Sequence, residues 1–199
     1  MTQIMQICAD QKKNLRKSAF YMHNLRLLFF FMTMPWEIPD DKLLAECRVE
    51  SFVSSGPGGQ KRHKTNAAVR ITHLPTKVSA VETESRSNRE NKIHALRDLR
   101  HKLAMEIRRD VDLTTYQSPP WLAQYEGLKV NPRNPLYPSL IAEVFDLLKA
   151  AHWNLAPAAA ALNISSSALT KFLHADPHLW AKVNHLRSEL GLKSLSWNR

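Results

Sequence analysis

The stretch "AVRITHLPTKVSAVETESRSNRENKIHALRDLRHKLAMEI", Ala68 to Ile107, changes its periodicity part-way along, and that change decides the fold class. Over Ala68 to Leu74 apolar and polar residues alternate, Val69 and Ile71 against Arg70 and Thr72, the period of a half-buried strand. Pro75 and Thr76 turn the chain into "KVSAVETE", a second run of strand character, and the two predict a hairpin. Ser87 and Glu90 then have the spacing of a capping box, in which the serine side chain accepts from one orphan backbone N–H and the glutamate from another. Beyond them Ile93, Leu96, Leu99, Leu103 and Ile107 recur at steps of three or four, which predicts a helix with one apolar stripe packed on the sheet. Arg89, Lys92, Arg97, Arg100, Lys102, Arg108 and Arg109 occupy its other faces, with Glu90, Asp98 and Glu106 offsetting part of that charge by local pairing. Together they read as a phosphate-facing surface.

Toward the N-terminus, "CRVESFV" sets Cys47, Val49 and Ser51 against Arg48, Glu50 and Phe52, a weaker strand. "IPDDKLL" offers Pro39 with Asp40 or Asp41 as the start of a short helix over Lys42 to Ala45. These elements predict an α+β fold, a small sheet with a packed helix, over residues 35–113. Toward the C-terminus, residues 114–139 hold Pro119, Pro120, Pro132, Pro135 and Pro138, enough to forbid a regular helix or a central strand, and read as a linker. Residues 140–199 predict a small all-α domain. Ile141, Val144, Phe145, Leu147 and Leu148 give a first amphipathic segment. A short helix comes next with Pro157 in its first turn, then a turn at Asn163 and a helix capped by Ser165, a helix-turn-helix-like pair. Asp176 and Pro177 open a last helix with Leu179, Trp180, Val183, Leu186 and Leu190 on one side and Gly191 at its stop.

A net charge of +10 and a pI near 9.8 over 199 residues point to a polyanionic partner, nucleic acid first. Up to Ser118 the chain has 20 Lys or Arg against 13 Asp or Glu; from Pro119 onward it has 8 against 5, so the sheet-and-helix half carries the signal. Cys8 and Cys47 lie far apart, which excludes a disulfide framework and a zinc site built from cysteine, and fits a reducing compartment. The nine histidines show no spacing with carboxylates that resembles a metal site, so no metal is expected. Ser165 to Ser167 lack the glycines of a nucleophile elbow. Trp121, Trp153, Trp180 and Trp197 read as packing residues. Residues 1–34 are basic, and their apolar run, Leu27 to Met34, is far shorter than the ~20 residues that span a bilayer. No membrane association is expected. A signal peptide is disfavoured because Arg26 interrupts it and no small-residue cleavage site comes after it. The segment reads as a disordered or helical extension, with an upstream start codon before Met34 and an organelle-targeting arm as the alternatives.

Between the first two strands lies "SSGPGGQKRHKTN", which gathers three of the chain's five glycines, Gly56, Gly58 and Gly59, ahead of Gln60 and the basic run Lys61, Arg62, His63, Lys64. The spacing matches neither the dinucleotide fingerprint nor the P-loop. What remains is a tip able to take backbone angles closed to other residues, to bring its N–H groups against a ligand, and to present one neutral amide.

These residues, "SSGPGGQ…NAAVRITHLPT…ESRSNRENKIHAL", resemble the catalytic domain of the class I peptide chain release factors, and especially their short, codon-independent relatives that rescue stalled ribosomes. The resemblance covers roughly Ile38 to Asp110, and the Gly-Gly-Gln tip, the Ala-Val-Arg strand, the His-Leu-Pro-Thr turn and the Ser-Arg-Ser helix start stand in family order. It implies hydrolysis of the ester joining a nascent peptide to tRNA, with Gly58, Gly59 and Gln60 as the catalytic tip and Gln60 as the site of N5-methylation by a glutamine methyltransferase. Lys61, Arg62, His63, Lys64, Arg70, Arg86 and Arg89 would contact RNA. The implied partners are large-subunit rRNA and peptidyl-tRNA; the implied state is a cofactor-free monomer in the cytoplasm, or alternatively the mitochondrion.

The sequence also departs from that pattern. It contains no recognisable codon-reading segment, which favours rescue, yet it ends in helices where short rescue members often carry a basic tail. Lys77 stands where many relatives have glycine after the Pro-Thr turn. The rival reading is a helix-turn-helix nucleic-acid-binding regulator or a non-catalytic ribosome-binding factor; against DNA binding, Ser165 to Leu173 offers Lys171 as its one charged residue beside Ser166, Ser167 and Thr170.

Overall fold

The computed structural model describes residues 34–53 and 66–197. A short helix α1 (Asp40–Ala45) leads into strand β1 (Cys47–Phe52), and then come β2 (Ala68–His73), β3 (Ser79–Glu82) and the long helix α2 (Asn88–Glu106). The strands form an antiparallel sheet in the order β1-β2-β3. Cys47 faces His73 and Phe52 faces Ala68 across the first pair, and Val69 faces Glu82 across the second. Alternation along β2 puts Val69, Ile71 and His73 on the covered face, where Ala95, Leu99 and Leu103 of α2 are equally buried, while Arg70 lies on the opposite, open face. The tight turn between β2 and β3 is closed by His73 N–H donating to Val78 O (2.9 Å) and Lys77 N–H donating to His73 O (2.8 Å).

The hairpin and the helix stand where the periodicities put them, but the stripe of α2 is rotated. Asn91, Ala95, Leu99 and Leu103 recur every four residues and are buried, and Ile93, two residues out of that phase, is 59% exposed. Ile93 therefore does not belong to the packed stripe. The same correction applies to Leu190, which lies past the last turn of its helix and is exposed.

The proline-rich stretch is not structureless. Pro120–Gln124 and Glu126–Leu128 form 3-10 turns whose Leu122 and Leu128 are buried, and Gly127 supplies a positive φ of 60° inside the second. Helix α3 (Tyr137–Ala150) begins three residues before the Leu140 at which helical periodicity starts, because Pro138 falls in its first turn, where a missing N–H costs nothing. Three shorter helices complete the chain, α4 (Leu155–Ala161), α5 (Ser166–Ala175) and α6 (Pro177–Glu189). Asn163 makes the α4–α5 turn at φ 55°. Ser165 Oγ caps α5 by accepting from Ala168 N–H, and Asp176 Oδ1 caps α6 by accepting from His178 N–H. The side chains of Leu140, Ile141, Val144, Phe145, Leu147 and Leu148 are fully buried, so α3 is enclosed on nearly every side, and one apolar cluster runs from Val69 and Leu99 through α3 to Leu173 and Val183. Among the described residues no helix is long and apolar enough to cross a membrane, and no group of three metal-ligating side chains converges.

Two consequences can be measured. Lys77 adopts φ 62°, a left-handed conformation that a Cβ disfavours. Lys77→Gly is expected to raise stability by about 0.5–1 kcal/mol in a urea melt. Glu82, at the end of β3, is partly buried beside Asp98 of α2; burial first, then the Asp98 carboxyl, pushes its carboxyl up to about 7. The folded state thus holds a proton that the unfolded chain, titrating near 4.5, has already lost, so this contribution is complete below pH 4.5 and is lost as pH rises through about 7. Glu82→Gln should accordingly show a smaller fall in Tm between pH 5 and 7 than the parent chain.

Candidate functional site

The glycine-containing stretch, residues 54–65, and with it Gly58, Gly59, Gln60, Lys61, Arg62, His63 and Lys64, lies outside the described residues. Its two stems are well defined. They leave the sheet side by side, since Phe52 and Ala68 are opposite partners in the register.

The first turn of α2 fixes those stems. Asn88 Nδ2 donates to Ser51 Oγ (3.0 Å) on the outgoing stem and to Asn66 O (2.9 Å) on the returning one, so one amide spans both. One turn further, Asn91 is completely buried. Its Nδ2 donates to Ala67 O (2.7 Å) and to Ser85 O (2.8 Å), and its Oδ1 accepts from Ser85 N–H (2.9 Å). A single side chain thereby ties the returning stem, the approach to the helix and the helix itself. The capping box is present in modified form. Ser87 Oγ accepts from Glu90 N–H (3.3 Å), but Glu90 does not reach Ser87 N–H directly: that group donates to Ser85 Oγ (3.0 Å), whose hydroxyl in turn donates to Glu90. An extra serine has been inserted into the circuit, and it fixes the segment just before the helix as well as its first turn.

Arg86 and Arg89 are exposed at this same end of α2, beside the stems. Arg70 is exposed on the open face of the sheet, its guanidinium carbon 5.5 Å from the centre of the Phe52 ring, so it flanks the stems on the side away from α2. Three other arginines do not face solvent phosphates as the helical pattern suggests. Arg100 donates to Trp36 O (2.7 Å) and Asp40 (2.6 Å), locking the N-terminal segment onto α2. Arg108 donates to Ala142 O (3.0 Å) and Asp146 Oδ1 (2.9 Å), and Arg109 holds Asp146 Oδ2 (2.7 Å) and Glu143. Burial pulls Arg108 down to about 10, which leaves it charged at neutral pH. The reason is tertiary: Glu143 and Asp146 lie on the face of α3 that packs against the end of α2, and buried carboxylates take the nearest guanidinium groups.

The His-Leu-Pro-Thr turn has its own polar core. Buried His73 directs Nε2 at Glu46 Oε2 (3.2 Å) and Nδ1 at Thr76 Oγ1 (2.7 Å). A carboxylate can only accept, so Nε2 carries a proton toward Glu46. The turn is thereby pinned to the end of α1.

Sequence reasoning did not single out Asn88, Asn91, Ser51 or Ser85. A signal for Asn91 was present: an asparagine in phase with Ala95, Leu99 and Leu103 is a polar residue on the buried stripe, and such a residue must find partners.

Residues 36–118 match the family model described as "RF-1 domain". A peptide chain release factor 2 of Nocardia farcinica is 38% identical over 101 residues, which are 48% of this chain and 26% of that protein. A peptide chain release factor 1 of Wolbachia pipientis is 44% identical over 58 residues, 29% of this chain and 16% of the relative, and one of Rickettsia canadensis is 42% identical over 64 residues, 32% and 18%. The chain thus spans about a quarter or less of the length of these curated relatives. Over the residues that build these stems and this helix, the chain is thus similar to the RF-1 domain of the class I peptide chain release factors.

Proposed function

We propose that this chain hydrolyses the ester between a nascent peptide and tRNA on the ribosome, without reading a stop codon. The observation that carries the reading is the amide clamp of Asn88 and Asn91 on both stems of the Gly58-Gly59-Gln60 segment. A tip that must present backbone N–H groups to a reacting centre needs a base that does not move, and two side chains of a packed helix supply it. Gln60 cannot serve as a general base, because an amide does not accept a proton near neutral pH. Its role is to position water and exclude larger nucleophiles, and its backbone N–H stabilises charge on the tetrahedral centre or the departing ribose oxygen. Gly58 and Gly59 allow close approach to RNA. Lys61, Arg62, His63 and Lys64, with Arg70, Arg86 and Arg89 around the stems, hold ribosomal phosphates, which orient the domain without reading sequence. The codon-independent part of the reading rests on the resemblance to the short rescue relatives; the helical segment that one apolar cluster joins to the RF-1 domain departs from their basic tail. The remaining partners are a methyltransferase for Gln60 and the cytoplasmic ribosome, with the chain acting as a cofactor-free monomer.

The test is release of formyl-methionine from P-site tRNA on ribosomes whose mRNA ends at the P codon, compared with ribosomes showing a stop codon in the A site. Release on the truncated message at least as fast as at the stop codon is expected. Release confined to the stop codon would overturn the rescue reading, and no release in either case the hydrolase reading. Gly59→Ala should slow release about 10²-fold or more, with Gln60→Ala milder, because the tip's backbone N–H groups stabilise the developing charge and the glutamine side chain only positions water. A one-methyl mass gain on the peptide containing Gln60, purified from the native host, checks the modification.

The DNA-regulator reading is weaker. On α5 the Thr170 hydroxyl is turned back onto Ser166 O and Ser165 pairs with Ser167, which leaves Lys171 as the one formally charged side chain of that helix.

A further inference from the structure

A groove of about 650 Å³ lies where the β2–β3 turn, the C-terminal half of α2 and helix α6 meet. Lys77 enters it from the turn, Lys102 from α2, and His178, Lys182 and His185 from α6; among the described residues the one carboxylate in its lining is Glu106. That carboxylate is occupied, since Lys182 Nζ donates to Glu106 (2.8 Å), and Lys102 Nζ donates to Ser79 O (3.1 Å), which holds its charge at the groove wall. Lys77 is exposed.

The backbone adds a second, independent sign. Lys77 holds a left-handed φ of 62° at a turn position where glycine would sit without strain. A long cationic side chain kept at a position that disfavours any Cβ, on the rim of a groove already rich in cations, points to a use for that side chain.

We propose that this groove is an RNA phosphate-backbone site, formed jointly by the RF-1 domain and helix α6, and that Lys77 is its positioning cation. Lysines at its walls hold a chain of phosphates as point charges, and imidazole N–H groups donate to phosphate oxygens, without reading bases. The chain's net charge of +10 favours a polyanion over a single small anion. The choice of RNA rests on the proposed ribosomal function. The groove also gives the C-terminal helices a task, since without α6 it would lose one wall and, with that wall, His178, Lys182 and His185.

The experiment uses the full chain and a fluorescein-labelled double-stranded RNA hairpin, titrated at several potassium chloride concentrations. Lys77→Gly should melt at a higher temperature than the parent yet bind the RNA about 3- to 10-fold more weakly, with the slope of log affinity against log salt reduced by about 0.7–0.9. Lys77→Gly combined with Lys102→Gln should reduce it by about twice that. Stability and affinity moving in opposite directions separates a binding role from a structural one. Unchanged affinity and slope in both variants would overturn the proposal, as would equal loss of binding to anionic lipid vesicles with RNA binding retained. The release assay separates this proposal from the hydrolase reading. Parent chain that binds RNA through Lys77 but releases no peptide defeats only the hydrolase reading. Parent chain that releases peptide, with Lys77→Gly leaving both the KM for ribosomes and the RNA salt slope untouched, defeats only the groove.

Discussion

Asp146→Ala is expected to destabilise the chain by about 3–5 kcal/mol, the largest loss for any single side chain outside the apolar core. Asp146 is completely buried and accepts from Arg108 Nη1 (2.9 Å), from Arg109 Nε (2.7 Å) and from the Arg109 backbone N–H (3.0 Å). Removing it leaves two guanidinium groups beside a cavity, one of them, Arg108, largely buried against the Phe145 ring at 5.4 Å. The cost is mainly the uncompensated charge, so a control distinguishes it from simple loss of packing. Asp146→Asn keeps the shape and removes the charge, and should recover less than half of the loss if charge pairing dominates. Chemical denaturation read by tryptophan fluorescence gives both values. Because these contacts join the end of α2 to α3, the variant should also expose the C-terminal helices to protease before the sheet.

Asn91→Leu comes next, at about 3 kcal/mol. The substitution conserves volume and apolar phase, so a purely packing view expects little change. The hydrogen bonds say otherwise: Ala67 O and Ser85 O each lose a donor, and Ser85 N–H loses its acceptor, all in a partly buried setting. Asn91→Asp is the sharper variant, since it sets a carboxylate against two carbonyl oxygens. Both should slow peptide release by more than their unfolded fraction explains, because the returning stem at Ala67 is no longer held. Hydrogen exchange at residues 66–68, measured under conditions where the chain remains folded, should rise in step with the loss of activity. Exchange that stays at the parent level would separate the clamp from the chemistry.

Local sequence carried the elements. The alternation around Val69 and Ile71, the serine before α2, Pro157 and Asn163, and the Asp176-Pro177 start of α6 are signals written within a few residues of where they act, so short-range sterics and capping suffice to read them. The Gly-Gly-Gln segment is read from residue identity alone and lies outside the described residues. Ile93 was misplaced because several apolar residues on α2 satisfy helical spacing, and which phase is buried depends on how the helix rolls on the sheet. The arginines of α2 were misread for a related reason. Arg100, Arg108 and Arg109 read as a solvated basic face until Asp40, Glu143 and Asp146 come in from 34 or more residues away to claim them.

The sequence by itself determined the α+β start, the helical end, the basic character and the family motif, because propensity, capping and net charge are local or additive properties. The tertiary structure decided which cations are free and which are bound, that Asn88 and Asn91 clamp the stems of the Gly58-Gly59-Gln60 segment, and that α6 closes a groove over Lys77 and Lys102. Those are pairings between distant segments, and a pairing exists only once the burial of a shared core has brought its two halves within hydrogen-bond reach.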